Sequence, residues 1–276
     1  MVVCQIKKQQ TDLVGKKTID SDKNMYYDFF KKGGYKMYNI KLTFKLDKAQ
    51  LPRETEKLIL SFIKKTVEKA DTDFFAEIFQ ANSPIMKSYC FSLYLPGAEF
   101  KKDTIILSDT YFNILFSDYN FNKLIFFYNA FLAMKHERYP IKDNFMYLTY
   151  VSMQKLNEIS DNNLVIKMLS PLMVRKHDMN TNKDRYLVYS DEDFSDTLKA
   201  NLIWQIKSSD LMIDASDFNI EPVKCRKVVV PTFGKLQNAS IGVFKIHGNP
   251  KLLNFLYMSG LGSRRSEGRG KWEVIS

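Results

Sequence analysis

The sequence predicts an α+β protein made of two tandem ferredoxin-like (RRM-like) domains with antiparallel sheets. Strand patterns and helix patterns follow one another in the order β-α-β-β-α-β, which is the order of a ferredoxin-like domain. The same order of elements occurs a second time from about Asn163 onward, without a repeat of individual residues. A chain of 276 residues is also long enough for two domains of about 100 to 150 residues each.

The predicted boundaries divide the chain into an extension and two domains. Residues 1–36 show no sustained periodicity and end in a Gly-Gly pair, so we expect them to form a poorly ordered extension. Residues 37–160 form the first predicted ferredoxin-like domain. Residues 161–276 form the second, which carries a glycine-rich loop near its end.

The first domain opens with a strand, because polar and apolar residues alternate over Met37–Leu46. An amphipathic helix follows over residues 51–70, with Pro52 near its start and apolar residues at three- and four-residue spacing. The remaining predicted elements are a short helical run over Phe74–Phe79, a strand over Lys87–Leu95, one or two strands over residues 103–117, an apolar helix over residues 121–137 and a strand over residues 144–156.

The second domain repeats this order. Its predicted elements are a strand over residues 164–177, a helix over residues 191–209, a hairpin with arms at residues 221–234 and 239–248, a short helix from Pro250 to Gly260 and a last strand over residues 271–275. Proline at the first turn and glycine after the last turn are the usual limits of a helix. The second domain is therefore predicted to close on a strand that directly follows the glycine-rich loop.

Composition argues against several classes of protein. Cys4, Cys90 and Cys225 are widely separated and lack the spacing of a disulfide scaffold or a zinc site. We therefore expect a cytoplasmic protein with no metal and no other cofactor. No apolar run approaches the roughly 18 residues that a membrane helix requires, so we expect no membrane partner.

Positive charge is concentrated at the C-terminal end of the chain. The formal net charge is +10, and residues 223–276 contain ten Lys or Arg and only two acidic residues. A clustered positive field attracts a polyanion, and nucleic acid is the usual polyanion of the cytoplasm. The alternative is that the charge only keeps the protein in solution.

The densest cluster lies in the stretch SGLGSRRSEGRGKWEVI, from Ser259 to Ile275. Its glycines allow positive φ and a close approach of the backbone to a ligand, and successive backbone N–H groups can form an anion-binding nest. Arginine adds bidentate contacts to phosphate oxygens. The GxxxxGK[ST] spacing of a nucleotide-binding P-loop is missing, so the pattern favours a nucleic-acid backbone over a nucleoside triphosphate. The alternative is a solvated turn.

The segment GLGSRRSEGRG resembles the C-terminal glycine-rich signature of the CRISPR-associated endoribonucleases that cut precursor CRISPR RNA, members of the RAMP superfamily. Two further stretches are similar, KSYCFSLYLPG in the first half and SPLMVRKHD in the second. The three stretches together bracket nearly everything from Met37 onward. The family usually has an aromatic or apolar residue between the last two glycines. This chain has Arg269 there, so we expect Arg269 to touch RNA.

The resemblance implies metal-independent cleavage of precursor CRISPR RNA within its repeats. The ribose 2′-OH attacks the adjacent phosphate and leaves a 2′,3′-cyclic phosphate and a 5′-OH. Such a reaction needs a base near the 2′-OH, a cation for the developing charge and a proton donor for the leaving oxygen. The implied partner is the repeat RNA, and the residues leave open further contacts with subunits of a CRISPR effector complex or with a second copy of the chain.

Two residues are the catalytic candidates. Lys87 matches the lysine that precedes the FSL-type strand of the family, and Tyr89 lies two residues further on. The alternatives are a surface lysine and a core tyrosine. Family members often place a histidine just before this strand, but residues 74–89 contain none. A repeat-binding subunit that does not cut RNA therefore remains an alternative function.

The predicted RNA contacts lie in the C-terminal hairpin and the glycine-rich loop. Arg226 and Lys227 are expected on the same face as the loop, where they would bind phosphates. A general RNA-binding protein is disfavoured because no aromatic RNP1-like run is present. The full set of predicted RNA-binding residues is Arg226, Lys227, Gly260, Gly262, Ser263, Arg264, Arg265, Ser266, Gly268, Arg269, Gly270 and Lys271.

Overall fold

The computed structural model of the protein describes residues 37–80, 86–209, 211–232 and 234–276. The predicted N-terminal extension, residues 1–36, lies outside the described residues. None of the helices in the described part of the chain has the length and apolar composition needed to cross a lipid bilayer.

The first half of the described chain contains the predicted strands and helices and three short strands besides. The elements are β1 (Tyr38–Leu46), β2 (Gln50–Pro52), α1 (Thr55–Ala70), α2 (Thr72–Phe75) with a π-helical turn (Ala76–Gln80), β3 (Tyr89–Tyr94), β4 (Glu99–Phe100), β5 (Thr104–Ile106), β6 (Tyr111–Asp118), α3 (Phe121–Ala133), β7 (Arg138–Ile141) and β8 (Asn144–Lys155). The main sheet has the order β3-β6-β1-β8-β7, and every neighbouring pair is antiparallel.

The second half repeats this arrangement. Its elements are β9 (Asn163–Met168), β10 (Val174–Asp178), β11 (Lys183–Leu187), α4 (Phe194–Lys207), β12 (Asn219–Thr232), β13 (Lys235–His247), α5 (Pro250–Ser259), a 3₁₀ turn (Arg265–Glu267) and β14 (Trp272–Val274). The sheet has the order β12-β13-β9-β14. When β1, β3, β6 and β8 of the first sheet and β9, β12, β13 and β14 of the second are each counted from 1 to 4, both sheets have the order 2-3-1-4, which is that of a ferredoxin-like fold. The first sheet has β7 as an additional edge strand.

The predicted fold class is confirmed, and the two sheets lie in the predicted order along the chain. The boundary that we place between residues 160 and 161 falls between β8 and β9. The division into domains at that point stays a prediction. One element was wrongly predicted: residues 164–177 form two strands, β9 and β10, and β10 pairs with β11 in a hairpin that periodicity did not reveal.

Alternation along the strands explains how each core forms. In β1, Ile40, Leu42 and Phe44 point to one face and are buried. They meet an aromatic layer from the helices, in which the Phe44 and Phe62 rings lie 5.1 Å apart. Phe116 of β6 and Phe127 of α3 extend this layer with a separation of 4.8 Å. The helices therefore cover one face of the first sheet and leave the other face open.

The end of α5 and the segment after it cover part of that open face. The Ser117 hydroxyl of β6 donates a hydrogen bond of 2.6 Å to the carbonyl oxygen of Met258. Next to it, the rings of Tyr119 and Phe255 lie 4.9 Å apart. The glycine-rich segment that follows α5 is consequently held between the two halves of the described chain.

Candidate nucleic-acid interface

The glycine loop, residues 260–271, packs against its protein surroundings so closely that side chains are excluded. Gly270 has φ of +71°, and a Cβ on this residue would lie 1.9 Å from the carbonyl oxygen of Leu261. A Cβ on Gly260, with φ of +78°, would lie 2.6 Å from the Cys90 sulfur of β3. Gly270 is therefore required for the packing of the loop on itself, and Gly260 for the packing of the loop against the first half.

Backbone N–H groups of the loop are largely used inside the protein. Leu261 N donates to Gly270 O at 2.8 Å, Ser263 N donates to Met173 O at 2.8 Å, and Gly270 N donates to Pro171 O at 3.0 Å. A nest for an anion needs several adjacent donors that face the ligand. The expectation of such a nest is wrong for these three groups, because protein carbonyl oxygens already occupy them.

Lys271 is the most deeply buried cation of the loop. Its side chain is 0% exposed, and Nζ donates to Asn39 Oδ1 at 2.9 Å, to Ser117 Oγ at 2.5 Å and to Tyr257 O at 3.3 Å. Three acceptors match the three N–H groups of an ammonium. Burial nevertheless lowers the pKa of Lys271 to about 8. The contact of Lys271 with RNA stays a prediction, and the position of the side chain gives it no support, because none of its surface is exposed.

Arg265 and Arg269 are buried as well. Arg265 Nη1 donates to Ser259 O at 2.8 Å, and burial lowers its pKa to about 10. Arg269 is 3% exposed, forms an ion pair with Glu56 of α1 and donates to Pro231 O at 3.1 Å. The contact of these two arginines with RNA stays a prediction, and their burial against protein oxygens gives it no support.

Only the middle of the loop reaches the surface. Ser263, Arg264 and Ser266 are half-buried, whereas the glycines on either side are buried. Ser263 Oγ donates to Asn201 Oδ1 of α4 at 2.9 Å. Arg264 Nε donates to the Tyr186 hydroxyl at 3.2 Å, and its Nη1 bonds Glu267 Oε1 at 3.0 Å. We call residues 263–267 the outer segment of the loop.

Lys87 lies beside this outer segment. The residue is half-buried just before β3, and its Nζ lies 5.4 Å from the centroid of the Phe79 ring. Nζ of Lys64, on α1, lies 5.6 Å from the same centroid. Burial and the charge of Lys64 lower the pKa of Lys87, while the nearby carboxylate of Glu267 opposes that shift. Two cations thus converge next to the part of the loop that is accessible.

Tyr89 belongs to the core of the first half. It is 1% exposed and stacks on Phe116, with ring centroids 5.2 Å apart. Burial, assisted by the charge of Asp118, raises the pKa of its hydroxyl. The catalytic role of Tyr89 stays a prediction, and its burial gives that role no support, because a buried phenol does not face a substrate.

Asp118 is a titratable residue near Lys87 that the sequence analysis missed. Its buried carboxylate accepts hydrogen bonds of 2.8 Å from Ser88 Oγ and from the backbone N–H of Asn120. Burial raises its pKa to about 7. Asp118 therefore links Ser88, the residue after Lys87, to the end of β6 by a hydrogen bond. The one sequence signal was an acidic residue at the end of an otherwise apolar strand.

A cleft of about 620 Å³ adjoins the other end of the loop. Residues of the first half (Arg53, Tyr94 and Phe100) and of the hairpin (Arg226) line it together with Gly268 and Arg269. Arg53 lies over Phe100, with the guanidinium carbon 4.7 Å from the ring centroid. The buried Nη1 of Arg53 has no hydrogen-bond partner among the described residues.

Of the two neighbouring cations predicted to bind RNA, Arg226 lines the cleft and Lys227 does not. Arg226 is exposed and lines the cleft, so its predicted position beside the loop agrees with the structure. Lys227 is the next residue of β12 and does not line the cleft. Successive residues of a strand point to opposite faces, which explains the difference. The aromatic and cationic residues of the first half were missed because they are far from the loop in sequence.

Comparisons with known proteins agree on family and fold. Residues 154–274 match the sequence profile of the family described as CRISPR associated protein Cas6, C-terminal. No curated protein sequence matches the chain. A structure described as a RAMP protein binding different RNA substrates is similar, with a TM-score of 0.74, 22% identity and coverage of 87% of this chain and 100% of that chain.

Two further solved structures have the same fold. A Cas6-related protein of Pyrococcus furiosus gives a TM-score of 0.74 with 20% identity, covering 87% of this chain and 99% of that chain. A Cas6 product complex gives a TM-score of 0.65 with 12% identity, covering 87% of this chain and 100% of that chain. At these identities the likeness establishes the fold alone.

Proposed function

From the match of residues 154–274 to the Cas6 C-terminal family, we propose that this protein belongs to the Cas6 proteins, binds the repeat RNA of precursor CRISPR transcripts and cuts it within the repeat. The cut is metal-independent and proceeds by attack of a ribose 2′-OH on the adjacent phosphate. The products are a 2′,3′-cyclic phosphate and a 5′-OH.

The observation that carries this proposal is the convergence of Lys87 and Lys64 on Phe79 beside the outer segment. Two ammonium groups beside a surface loop suit a phosphate whose negative charge increases during the reaction. A carboxylate cluster would suit a metal instead. Among the described residues, no group of three His, Cys, Asp or Glu side chains is arranged to hold a metal ion.

The RNA strand enters through the cleft. Tyr94 and Phe100 are exposed aromatic residues at the cleft, with 65% and 61% of their surface accessible, and such rings stack with unpaired bases. Arg53 and Arg226 supply donors for phosphate oxygens from opposite walls. The loop connects the cleft to Lys87, since Gly268 lines the cleft and Glu267 lies near Lys87.

Lys87 has two tasks in this mechanism. Its charge stabilises the phosphorane-like transition state, and its ammonium donates a proton to the leaving 5′-oxygen. The bond from the 2′-oxygen to phosphorus forms as the bond from phosphorus to the 5′-oxygen breaks, and the proton of the 2′-OH passes to solvent water. Partial burial lowers its pKa, which makes the ammonium a better acid near neutral pH. Asp118 keeps the adjacent Ser88 fixed and so limits the movement of Lys87. The bound RNA contributes in-line geometry of the 2′-OH and the scissile phosphate.

A repeat-binding subunit that does not cut RNA is the second candidate. Residues 74–89 contain no histidine, and the Tyr89 hydroxyl is buried among aromatic rings. A protein of this fold can therefore hold the repeat RNA in the same cleft without a general base.

One assay separates the two candidates. Purified protein is incubated in EDTA with repeat RNA and with an unrelated RNA hairpin, and the product ends are mapped. We expect one cut in the repeat with a cyclic-phosphate end. Lys87→Met should lower the single-turnover rate by roughly 100-fold while leaving the Kd for repeat RNA within a few-fold. Lys155→Met, at an exposed position ending β8, is the matched control and should cut normally.

The other outcomes decide against parts of the proposal. Tight and selective repeat binding without any cut by the wild-type protein would select the non-catalytic function. Equal cutting by the Lys87 and Lys155 variants would remove Lys87 from the mechanism. Equal affinity for the repeat and the unrelated hairpin would contradict repeat recognition.

A further inference from the structure

The two tryptophans of the chain have opposite environments. Trp272, in β14, is 1% exposed and donates its indole N–H to Leu256 O at 3.1 Å. Trp204, in α4, is 69% exposed. An aromatic side chain of this size contributes most to stability when it is buried. The exposure of Trp204 therefore requires a reason other than packing.

Trp204 lies outside the buried stripe of α4. Phe194, Leu198, Leu202 and Ile206 form that stripe and are buried in the second core. Trp204 comes three residues after Asn201, and residues at this spacing lie on the same side of a helix. The side that carries Asn201 and Trp204 borders the stripe and remains accessible.

That side of α4 is fixed to the outer segment of the glycine loop. Asn201 Oδ1 accepts hydrogen bonds from Ser263 Oγ at 2.9 Å and from the backbone N–H of Arg175 at 3.1 Å. Gln205, the neighbour of Trp204, donates from Nε2 to Gly260 O at 3.2 Å. The helix that carries Trp204 is thus attached to the loop by side-chain hydrogen bonds one residue and three residues away from the indole.

An exposed cation is attached to this side of α4. Arg175 bonds Asn201 through its backbone N–H, and its exposed side chain forms a long ion pair of 3.5 Å with Asp184 at the surface. Its partner across the β10–β11 hairpin is Tyr186, whose hydroxyl accepts a hydrogen bond from Arg264. An exposed aromatic ring on a surface that also carries arginine suits a base by stacking and its phosphate by charge.

We propose that Trp204 is a stacking platform for an unpaired base of the bound RNA, on the side of the outer segment away from the cleft. This inference rests on the proposed RNA binding. A strand that crosses the cleft and passes Lys87 reaches Trp204 next, because the loop joins these three places. Stacking is independent of base identity, so Trp204 adds affinity for an unpaired flank of the repeat and not for a particular sequence.

A protein partner is the competing occupant. Ile203, Leu211 and Met212 are also exposed apolar residues. Ile203 points about 100° away from Trp204 around the helix, and Met212 lies beyond the helix end, where its carbonyl oxygen accepts a bond from Lys251. Arg175 is bonded to Asn201, on the side of α4 that carries Trp204, which favours RNA there.

Tryptophan fluorescence tests the inference in the full chain. Repeat RNA with its unpaired flank is titrated into wild-type protein and into Trp204→Phe, while the anisotropy of a label on the RNA reports binding separately. We expect the long-wavelength emission of exposed Trp204 to be quenched as the RNA binds. The emission that remains in Trp204→Phe comes from buried Trp272 and should not change.

Affinities of two variants complete the test. Trp204→Ala should weaken binding of the flanked repeat roughly tenfold, with no loss for a fully paired hairpin, and Trp204→Phe should retain most of the affinity. RNA binding with unchanged Trp204 emission and an unchanged Kd for Trp204→Ala would overturn the inference and leave the proposed function intact. Loss of self-association in Trp204→Ala, together with normal RNA binding, would also overturn the inference and leave the proposed function intact. Failure of the wild-type protein to bind repeat RNA would overturn both.

Discussion

The glycine loop has two parts with similar composition and different surroundings. Its inner part, which contains Arg269 and Lys271, is buried and bonded to protein oxygens. Its outer segment, residues 263–267, is partly exposed beside Lys87. Each part contains cations, but only the outer segment is placed to meet a phosphate. Positive charge in a sequence is therefore evidence for a ligand only where the surrounding fold leaves that charge accessible.

The inner part stabilises the junction on which the outer segment depends. Lys271 connects the last strand of the second sheet to Asn39 and Ser117 of the first sheet. Arg269 connects the loop to Glu56 of α1. Removing a partner from such a buried network leaves unsatisfied polar groups, which costs more than the bond itself contributes. Substitutions at Gly270, Lys271 and Arg226 test this difference between the buried and the accessible parts of the site. They are given from the largest expected effect to the smallest.

The largest effect is expected from Gly270→Ala. The new Cβ would meet the carbonyl oxygen of Leu261, and alanine disfavours the positive φ at this position. Strain and overpacking together should lower the free energy of unfolding by about 3 kcal/mol or more. Urea denaturation followed by circular dichroism measures the change.

Gly234→Ala is the matched control for this substitution. Gly234 also has positive φ, +78°, but a Cβ there would meet no atom within 4 Å. Only the backbone strain applies, so the loss should be about 1 kcal/mol. Similar losses at the two positions would contradict the claim that close packing of the loop sets the cost.

An intermediate effect is expected from Lys271→Met. The substitution leaves Asn39 without its donor in a buried site, and stability at pH 7 should fall by about 1 to 2 kcal/mol. The folded pKa, about 8, lies below the ordinary value of 10.5. The part of the stability that depends on the titration of Lys271 is therefore complete above pH 10.5 and is lost as pH falls through about 8, whereas the cost of leaving Asn39 unpaired applies at pH 7 as well.

The pH dependence gives the sharper measurement. The difference in unfolding free energy between wild-type protein and Lys271→Met should increase from pH 8 to pH 10. Lys155→Met, at the exposed position, should show no such trend. A difference that stays constant over this range would mean that the hydrogen bonds of Lys271 fully offset its desolvation and that its pKa is not lowered.

The fold was predictable because it depends on local patterns. Alternation over Met37–Leu46 and helical spacing over residues 51–70 appear within one element each. The β10–β11 hairpin was missed because its arms are short, five residues each, and polar residues occupy most of their positions. Such arms show neither the alternation of a half-buried strand nor the spacing of a helix. The prediction therefore joined β10 to the apolar strand before it.

The accessibility of the site was not predictable from local sequence. Lys271 bonds Asn39, 232 positions away, and Arg269 bonds Glu56, 213 positions away. A local sequence pattern does not distinguish a buried cation that bonds a residue far away in the chain from a cation that faces solvent. Lys87 was predicted by family resemblance, whereas the cleft residues Arg53 and Phe100 needed the tertiary structure to bring them to Arg226.

The smallest effect, and the most specific, is expected from the neighbouring cations of β12. Arg226 lines the cleft and Lys227 does not. Arg226→Gln should reduce the slope of log Kd for repeat RNA against log salt by about 0.7, the value for one phosphate contact on a single strand. Lys227→Gln should leave the slope unchanged. The two variants lose the same charge, so a difference between them isolates the position of that charge. Equal slopes would mean that the hairpin attracts RNA by overall charge, and the cleft would lose its assignment as the path of the strand.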